Sequence, residues 1–418
     1  MPGAAAVPNL GRWRWSDRAA LVVAGSVTVT VLASSSAPTP LYATYEAQWG
    51  FSALTTTIVF GVYAVAVLAS LLVFGRLSDH VGRRPVLAAA LGLQVVAMAV
   101  LAFADGAPEL LLGRVLQGLS TGAAVGAAGG AMLDLDRRRG TVANSVAPPV
   151  GTAAGAVLSA VVVQALPWPT HLVYLVLLGV YVLQLLALLR WPETVAASGR
   201  ADRSRALASL VPRVVVPRAL RGAYATAATV VFAVWALAGF YGSLAPQVVA
   251  TVLSWNSPAA GASTLFLQTA LAVVSVVTLR EASARFCVQV AAAALTLGMG
   301  LTLLALHDRS AALFFLGTAA AGLGFGAGFQ GGIRTVVPLA APADRAGVLS
   351  SVYTAAYLGL GVPAVVAGVL VVHGGGLLPT TREYAVAVMV LALLASIGSW
   401  RTTSRTASTP TPITGGNP

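Results

Sequence analysis

The sequence predicts an all-α polytopic membrane protein, with twelve transmembrane helices arranged as two pseudo-symmetric six-helix bundles. Three observations predict it. Of 418 residues, 57% are hydrophobic and only 9% charged, against about a quarter charged in a soluble domain. A spanning helix takes roughly 20 apolar residues, so twelve use about 240, close to the hydrophobic share of the chain. The charges sit in short segments between long apolar runs, and those segments alternate between arginine-rich and nearly arginine-free.

Inside a bilayer every backbone polar group needs a partner, so the runs read as helices; they do not alternate, which argues against a β-barrel. The first six are expected at about 19–42, 54–74, 85–104, 109–133, 142–166 and 171–190. The second six are expected at about 222–246, 260–279, 287–306, 311–333, 347–372 and 383–400. Residues 1–18 then form a cytoplasmic N-terminus, 19–190 the N-terminal bundle and 222–400 the C-terminal bundle. Between them, 191–221 is a basic cytoplasmic linker with Pro192, Pro212, Pro217 and six arginines, read as a tether against anionic lipid. The tail, 401–418, is rich in Thr, Ser, Pro and Gly and is expected to be disordered. The first run follows Arg12, Arg14 and Arg18, as a signal peptide would. No clean cleavage pattern follows and many spans do, so it is read as retained. Of the arginines outside the spans, only Arg309 and Arg382 fall on the side opposite the rest. Both termini are therefore expected in the cytoplasm, and the protein in the plasma (inner) membrane.

Composition also excludes. The formal net charge is +12, but the basic residues, all arginine, are spread between spans rather than gathered on a face, which argues against nucleic acid. A lone cysteine, Cys287, rules out an internal disulfide. His80, His171, His307 and His373 are scattered at span ends, so no metal site is expected. No glycine loop ending in Lys-Ser/Thr is present to cradle a phosphate. No cofactor and no enzymatic activity are expected.

The halves echo each other. Gly122, Gly126, Gly129 and Gly130 in span four align with Gly324, Gly328, Gly331 and Gly332 in span ten, all 202 residues apart. Asp136-Arg137 is answered by Asp344-Arg345, and Ala154-Gly155 by Ala367-Gly368.

The densest polar island is Gly75-Arg76-Leu77-Ser78-Asp79-His80-Val81-Gly82-Arg83-Arg84-Pro85. It resembles the loop between helices 2 and 3 of the major facilitator superfamily, G-x-x-x-D-x-x-G-R-R-P. The resemblance implies the major facilitator fold: two six-helix bundles rocking about a central cavity in alternating access. It further implies a latch, in which Asp79 meets the start of helix eleven near Gly347 when the protein is open outward. Arg83 and Arg84 are expected to pair with Asp134 at the end of span four. The cognate segment of the second half, Arg280 to Arg285, is eroded.

Arg114 lies inside span four, with two residues between it and Gln117-Gly118, a spacing that resembles the family's span-four motif. An ionisable group there is a functional hypothesis by default, and antiporter relatives link it to proton transfer. Glu109, at i−5, is a possible neighbour. The Gly-Pro motif of span five is present only in part, in Pro148-Pro149-Val150-Gly151. No Asp or Glu occupies the middle of a span, so proton coupling rests on the resemblance. An inward arginine among neutral polar and aromatic residues suits a neutral, lipophilic or weakly acidic small molecule. The cavity candidates are Ser35, Tyr42, Tyr63, Phe232, Trp235, Tyr241, Gln268, Phe325, Phe329, Gln330, Tyr353 and Tyr357. The reading is a monomeric secondary active transporter resembling drug and metabolite exporters, with a small-molecule substrate, protons and the bilayer as partners. The alternative is an importer of a sugar or organic acid on the same fold; a polytopic membrane enzyme is more distant.

Overall fold

The computed structural model describes residues 16–195, 207–255, 257–341 and 344–406. Residues 1–15, with Arg12 and Arg14, the linker stretch 196–206 and the tail from 407 lie outside the described residues. Twelve helices are long and apolar enough to cross a membrane. We number their helical cores α1 (Asp17–Ser36), α2 (Ala53–Phe74), α3 (Arg83–Ala102), α4 (Ala107–Leu135), α5 (Arg137–Ala165) and α6 (Pro169–Leu188). The second set is α7 (Arg221–Ser243), α8 (Pro258–Thr278), α9 (Ala284–Asp308), α10 (Ala311–Val336), α11 (Arg345–His373) and α12 (Leu377–Thr406).

The helix starts follow local chemistry. Ser16, Ser52, Asp136, Ser283 and Ser310 each accept a backbone N–H three residues on, satisfying donors that the first turn leaves open. Span one departs from its expected end. The helix stops at Ser36, because Pro38 and Pro40 carry no N–H to continue it. A 3-10 turn over Thr39–Leu41 and a short helix Tyr42–Trp49 follow, ended by Gly50 at φ +66°. Span seven ends at Ser243 and continues as a helical turn Ala245–Gln247 and a π turn Val248–Val252. The last helix runs to Thr406, so residues 401–406, expected to be disordered, are helical.

The pairing of helices repeats between the halves. In the first, α1 packs on α5, α3 on α6, and α4 on both α2 and α3. In the second, α7 packs on α11, α9 on α12, and α10 on both α8 and α9. Each half has its own apolar core. Two seams join them, α2 with α11 and α5 with α8, which exchange under the same pseudo-symmetry.

The register of the repeat corrects the sequence alignment. Gly113 meets Leu101 of α3 where Gly317 meets Gly298 of α9. Gly118 and Gly122 meet Ala66 and Ser70 of α2 where Gly322 and Gly326 meet Gln268 and Ala272 of α8. The equivalent glycines are therefore 204 residues apart, not 202. A two-residue slip turns a helix by about 200°, so Gly324 instead faces Leu295 of α9. In α5 and α11 the Asp136–Asp344 match stands, each residue preceding its helix. Gly151 on α1 and Gly359 on α7 share that offset, whereas Gly155 and Gly368 meet different partners.

The described part of the linker is not only a tether. Trp191 is buried and its indole donates to the Ala20 carbonyl at 3.1 Å. At the far end, Arg213 and Val215 lie against Gly347 at the start of α11.

Candidate functional site

The segment from Gly75 to Pro85 is more ordered than a loop. Arg76 precedes a short helix, Leu77–Val81, and Gly82 at φ +109° turns the chain into α3. Only glycine adopts that φ without strain, and a side chain at 82 would also meet the Glu193 carboxylate. Gly75 lies against Gly126 of α4, bringing the end of α2 close. The centre of the cluster is Arg83. Its guanidinium pairs with Asp79 at 2.5 Å and Asp134 at 3.1 Å, and donates to the Ser78 hydroxyl at 2.7 Å. Gly130 provides its slot, since an added Cβ there would run into the guanidinium.

One expectation is corrected here. Arg84 does not reach Asp134; it donates to the Leu189 carbonyl at 2.9 Å. Asp79 pairs with Arg83; its expected contact with the start of α11 belongs to the outward-open state. Arg76 meets no acid among the described residues. The sequence reading also missed Glu193. Its carboxylate accepts the backbone N–H of Arg83 at 2.8 Å and of Arg84 at 3.0 Å. It thereby caps α3, where the helix dipole favours an anion. Beside it, Thr194 donates to Asp134 at 3.1 Å.

About two turns into α4, Arg114 is fully buried. It donates to the Ser35 carbonyl at 3.0 Å, the Gln117 side-chain carbonyl at 2.5 Å and the Tyr42 hydroxyl at 3.3 Å. The Tyr63 ring lies against it, 4.5 Å from the guanidinium carbon to the ring centre. Gln117 in turn donates to the Ser34 carbonyl at 2.8 Å. The Ser34 hydroxyl joins Gln94 and Tyr181, and Ser120 donates to Gln94. This buried network ties Arg114 to α1, α3 and α6. Glu109 is exposed and does not pair with it.

Across the α2–α11 seam stands a group of rings. Trp235 lies 4.9 Å from Tyr357, 5.7 Å from Phe329 and 6.2 Å from Phe325, centre to centre; Tyr353 is 6.4 Å from Phe329. All five are partly exposed although mid-span. Tyr357 and Trp235 pack against the seam cluster of Phe60, Ala64, Leu360 and Ala364, so a line runs from Arg114 past Tyr63 on α2 to Tyr357 and Trp235. Gln268 is buried on α8 at its crossing with α10. Two candidates do not join this line. Tyr241 is packed in the core of the second half against Phe240. Gln330 donates to the Leu279 carbonyl at 2.9 Å, and with Arg334 it ties down the end of α8. Residue type alone does not say which way a helix face turns.

The halves meet along α2 and α11 from the midpoint toward the arginine-poor end. There Gly61 faces Val365, Ala64 faces Gly361 and Thr57 faces Gly368. Thr39 donates to the Gly242 carbonyl at 3.2 Å. Glu46, also missed from sequence, accepts from Thr56 at 2.5 Å and from Gln247 of the other half at 2.6 Å. Its signal was a lone acid in Tyr42–Trp49, hidden beyond the proline-rich end of span one.

Two six-helix halves meeting at one end, with rings and a buried arginine between them, define a polytopic helical protein of two pseudo-symmetric bundles. The model of the Major Facilitator Superfamily matches residues 24–287, and the chain belongs to that family. The multidrug resistance protein MdtL of Shigella dysenteriae serotype 1 (strain Sd197) is 29% identical over 153 residues, 35% of this chain and 39% of that protein. MdtL of Escherichia coli O157:H7 matches to the same extent. The chain thus spans about two fifths of the length of the curated relatives it matches. Among solved structures, a bacterial homologue of the human lysosomal transporter Spinster, inward-facing and unoccupied, superposes with a TM-score of 0.73 at 13% identity, covering 95% of this chain and 99% of that one. A point mutant of the nucleoside transporter NupG superposes with a TM-score of 0.71 at 12% identity, covering 92% and 99%. At these identities the likeness is one of fold. The family is one of transporters, and twelve helices of the chain are long and apolar enough to cross a membrane.

Proposed function

We propose that the chain is a secondary active exporter, moving a small lipophilic drug or metabolite out of the cell by alternating access and coupled to protons. It acts as a monomer in the plasma (inner) membrane with both termini cytoplasmic. One observation carries the reading. The named contacts between halves lie toward the arginine-poor end, while the charges of the Gly75–Pro85 segment pair within the first half. Such an arrangement suits a carrier caught facing the arginine-rich side, its ring-lined centre between two gates. The likeness to proteins named for multidrug resistance favours export. In this reading Asp79, Arg83 and Asp134 form the inner gate, and Arg114 and Gln117 sit at the coupling centre.

Accumulation of a panel of lipophilic drugs in whole cells, with and without the gene, tests direction. Lower accumulation with the gene, abolished when the pH gradient is collapsed, is expected. Higher accumulation would make the chain an importer. Asp79→Asn should abolish the difference at unchanged expression.

A further inference from the structure

We infer that the central site takes a lipophilic organic anion, an aromatic ring carrying a carboxylate, with the carboxylate at Arg114 and the ring among Trp235, Tyr357 and Phe329. This rests on the transporter reading above and gives it a substrate class. The argument starts from charge. A guanidinium is always protonated and offers five N–H donors with no acceptor. Arg114 is fully buried about two turns into α4, and its three partners are neutral oxygens. Among the described residues, no carboxylate lies within ion-pair distance of it. Its Nε–H has no partner. A buried charge without a counter-ion is costly in the membrane and is retained where function uses it.

The surroundings point the same way. The buried network through Gln117, Ser34 and Gln94 holds Arg114 in place before any ligand arrives, so little ordering cost falls on binding. The guanidinium fork matches a carboxylate in a way no single charge does. Tyr63, lying against the guanidinium, sits on the stretch of α2 against which Tyr357 and Trp235 pack, and so leads from the charge to the rings. Among the rings, the Trp235 indole N–H is buried and without a partner. The free hydrogen-bonding atoms at both ends of this line are donors. A cation would meet a like charge at Arg114 and no acid along the ring line; a neutral amide would leave the charge uncompensated. The ring group, without an acid of its own, accommodates an aromatic body by stacking.

The test uses three matched probes on the purified full-length chain, by isothermal titration calorimetry: 2-naphthoate, 2-naphthamide and 2-(aminomethyl)naphthalene. The carboxylate should bind about tenfold tighter than the amide, because it alone adds its own charge to the hydrogen bonds it accepts from the guanidinium, with the amine weakest. Arg114→Gln should erase the preference for carboxylate over amide. Trp235→Ala should weaken carboxylate and amide alike. If Arg114→Gln fails to fold, Arg114→Lys keeps the charge but loses the fork, and the carboxylate preference should shrink. Equal binding of carboxylate and amide by the unmutated chain, tighter binding of the amine, or no binding of naphthoate overturns the inference. Naphthoate transport in proteoliposomes is read separately. Carboxylate-selective binding without transport of any probe would sink the exporter reading and leave this site standing; transport of neutral or cationic drugs without naphthoate binding would do the reverse.

Discussion

Gly368→Val should drive the two halves apart at the arginine-poor end. A Cβ at residue 368 of α11 would fall on the Thr57 side chain of α2, meeting its hydroxyl, Cβ and methyl together. Thr57 is fully buried and its hydroxyl donates to the Leu54 carbonyl at 2.9 Å. Swinging it aside breaks that bond, at about 1 kcal/mol. Leaving it in place overpacks a tight contact, at about 1–3 kcal/mol. Either route destabilises the conformation in which the seam is closed. The clash lies between halves rather than within one, so separation relieves it without unfolding either. A bias of about 1–3 kcal/mol moves a two-state equilibrium by roughly 5- to 150-fold. Spin labels at Gln48→Cys and Thr251→Cys, exposed positions of the two halves at this end, read the separation by pulsed electron resonance; the native Cys287 is buried. The variant should gain a longer distance component, and Thr57→Ala added to it should restore most of the original distribution. An unchanged distribution with a lowered melting temperature would refute the reasoning, since the second half would then have absorbed the strain.

Other perturbations follow from the same contacts. Arg83→Ala strips two carboxylates of their partner; because Asp79 and Asp134 are partly exposed, the loss should be only about 1–2 kcal/mol, read as a modest fall in melting temperature with a larger loss of transport. Glu193→Ala removes the cap of α3 and should cost about 1 kcal/mol, with Glu193→Asp retaining part of it in the same thermal scan. Glu46→Ala breaks the link to Gln247 and should lengthen the same spin-label distance. Glu46→Gln keeps an acceptor oxygen and should leave that distance nearly unchanged; lengthening as large as in Glu46→Ala would show that charge, not the hydrogen bond, holds the contact.

The twelve spans were legible because an apolar run of bilayer length has few other fates in a chain so poor in charge. The Arg83–Asp134 pair was legible for a different reason: spacing and residue types in a short polar island leave few partners, whereas the Asp79–Arg83 pair emerged only from the structure. What failed were facts of direction. The glycine repeat aligned at the wrong register because glycine is common along both helices. Only packing on α2 or α8 distinguishes Gly122 and Gly326 from their neighbours. Tyr241 and Gln330 have side chains suited to a cavity, but their helices turn them inward and toward the end of α8. Glu193 caps a helix that starts 110 residues earlier, a relation no local pattern carries. Glu46 became a cross-half contact only because Pro38 and Pro40 end α1 early and redirect the chain toward Gln247.

The central claim is that the halves separate and rejoin at the Thr57–Gly368 contact during each transport cycle. Cysteines at these two positions, in a Cys287→Ser background, would start with Cβ atoms 2.9 Å apart and need to part by less than about 1 Å to reach disulfide geometry. Oxidation should stop transport and reduction should restore it. Transport at full rate through the cross-linked protein would contradict the account.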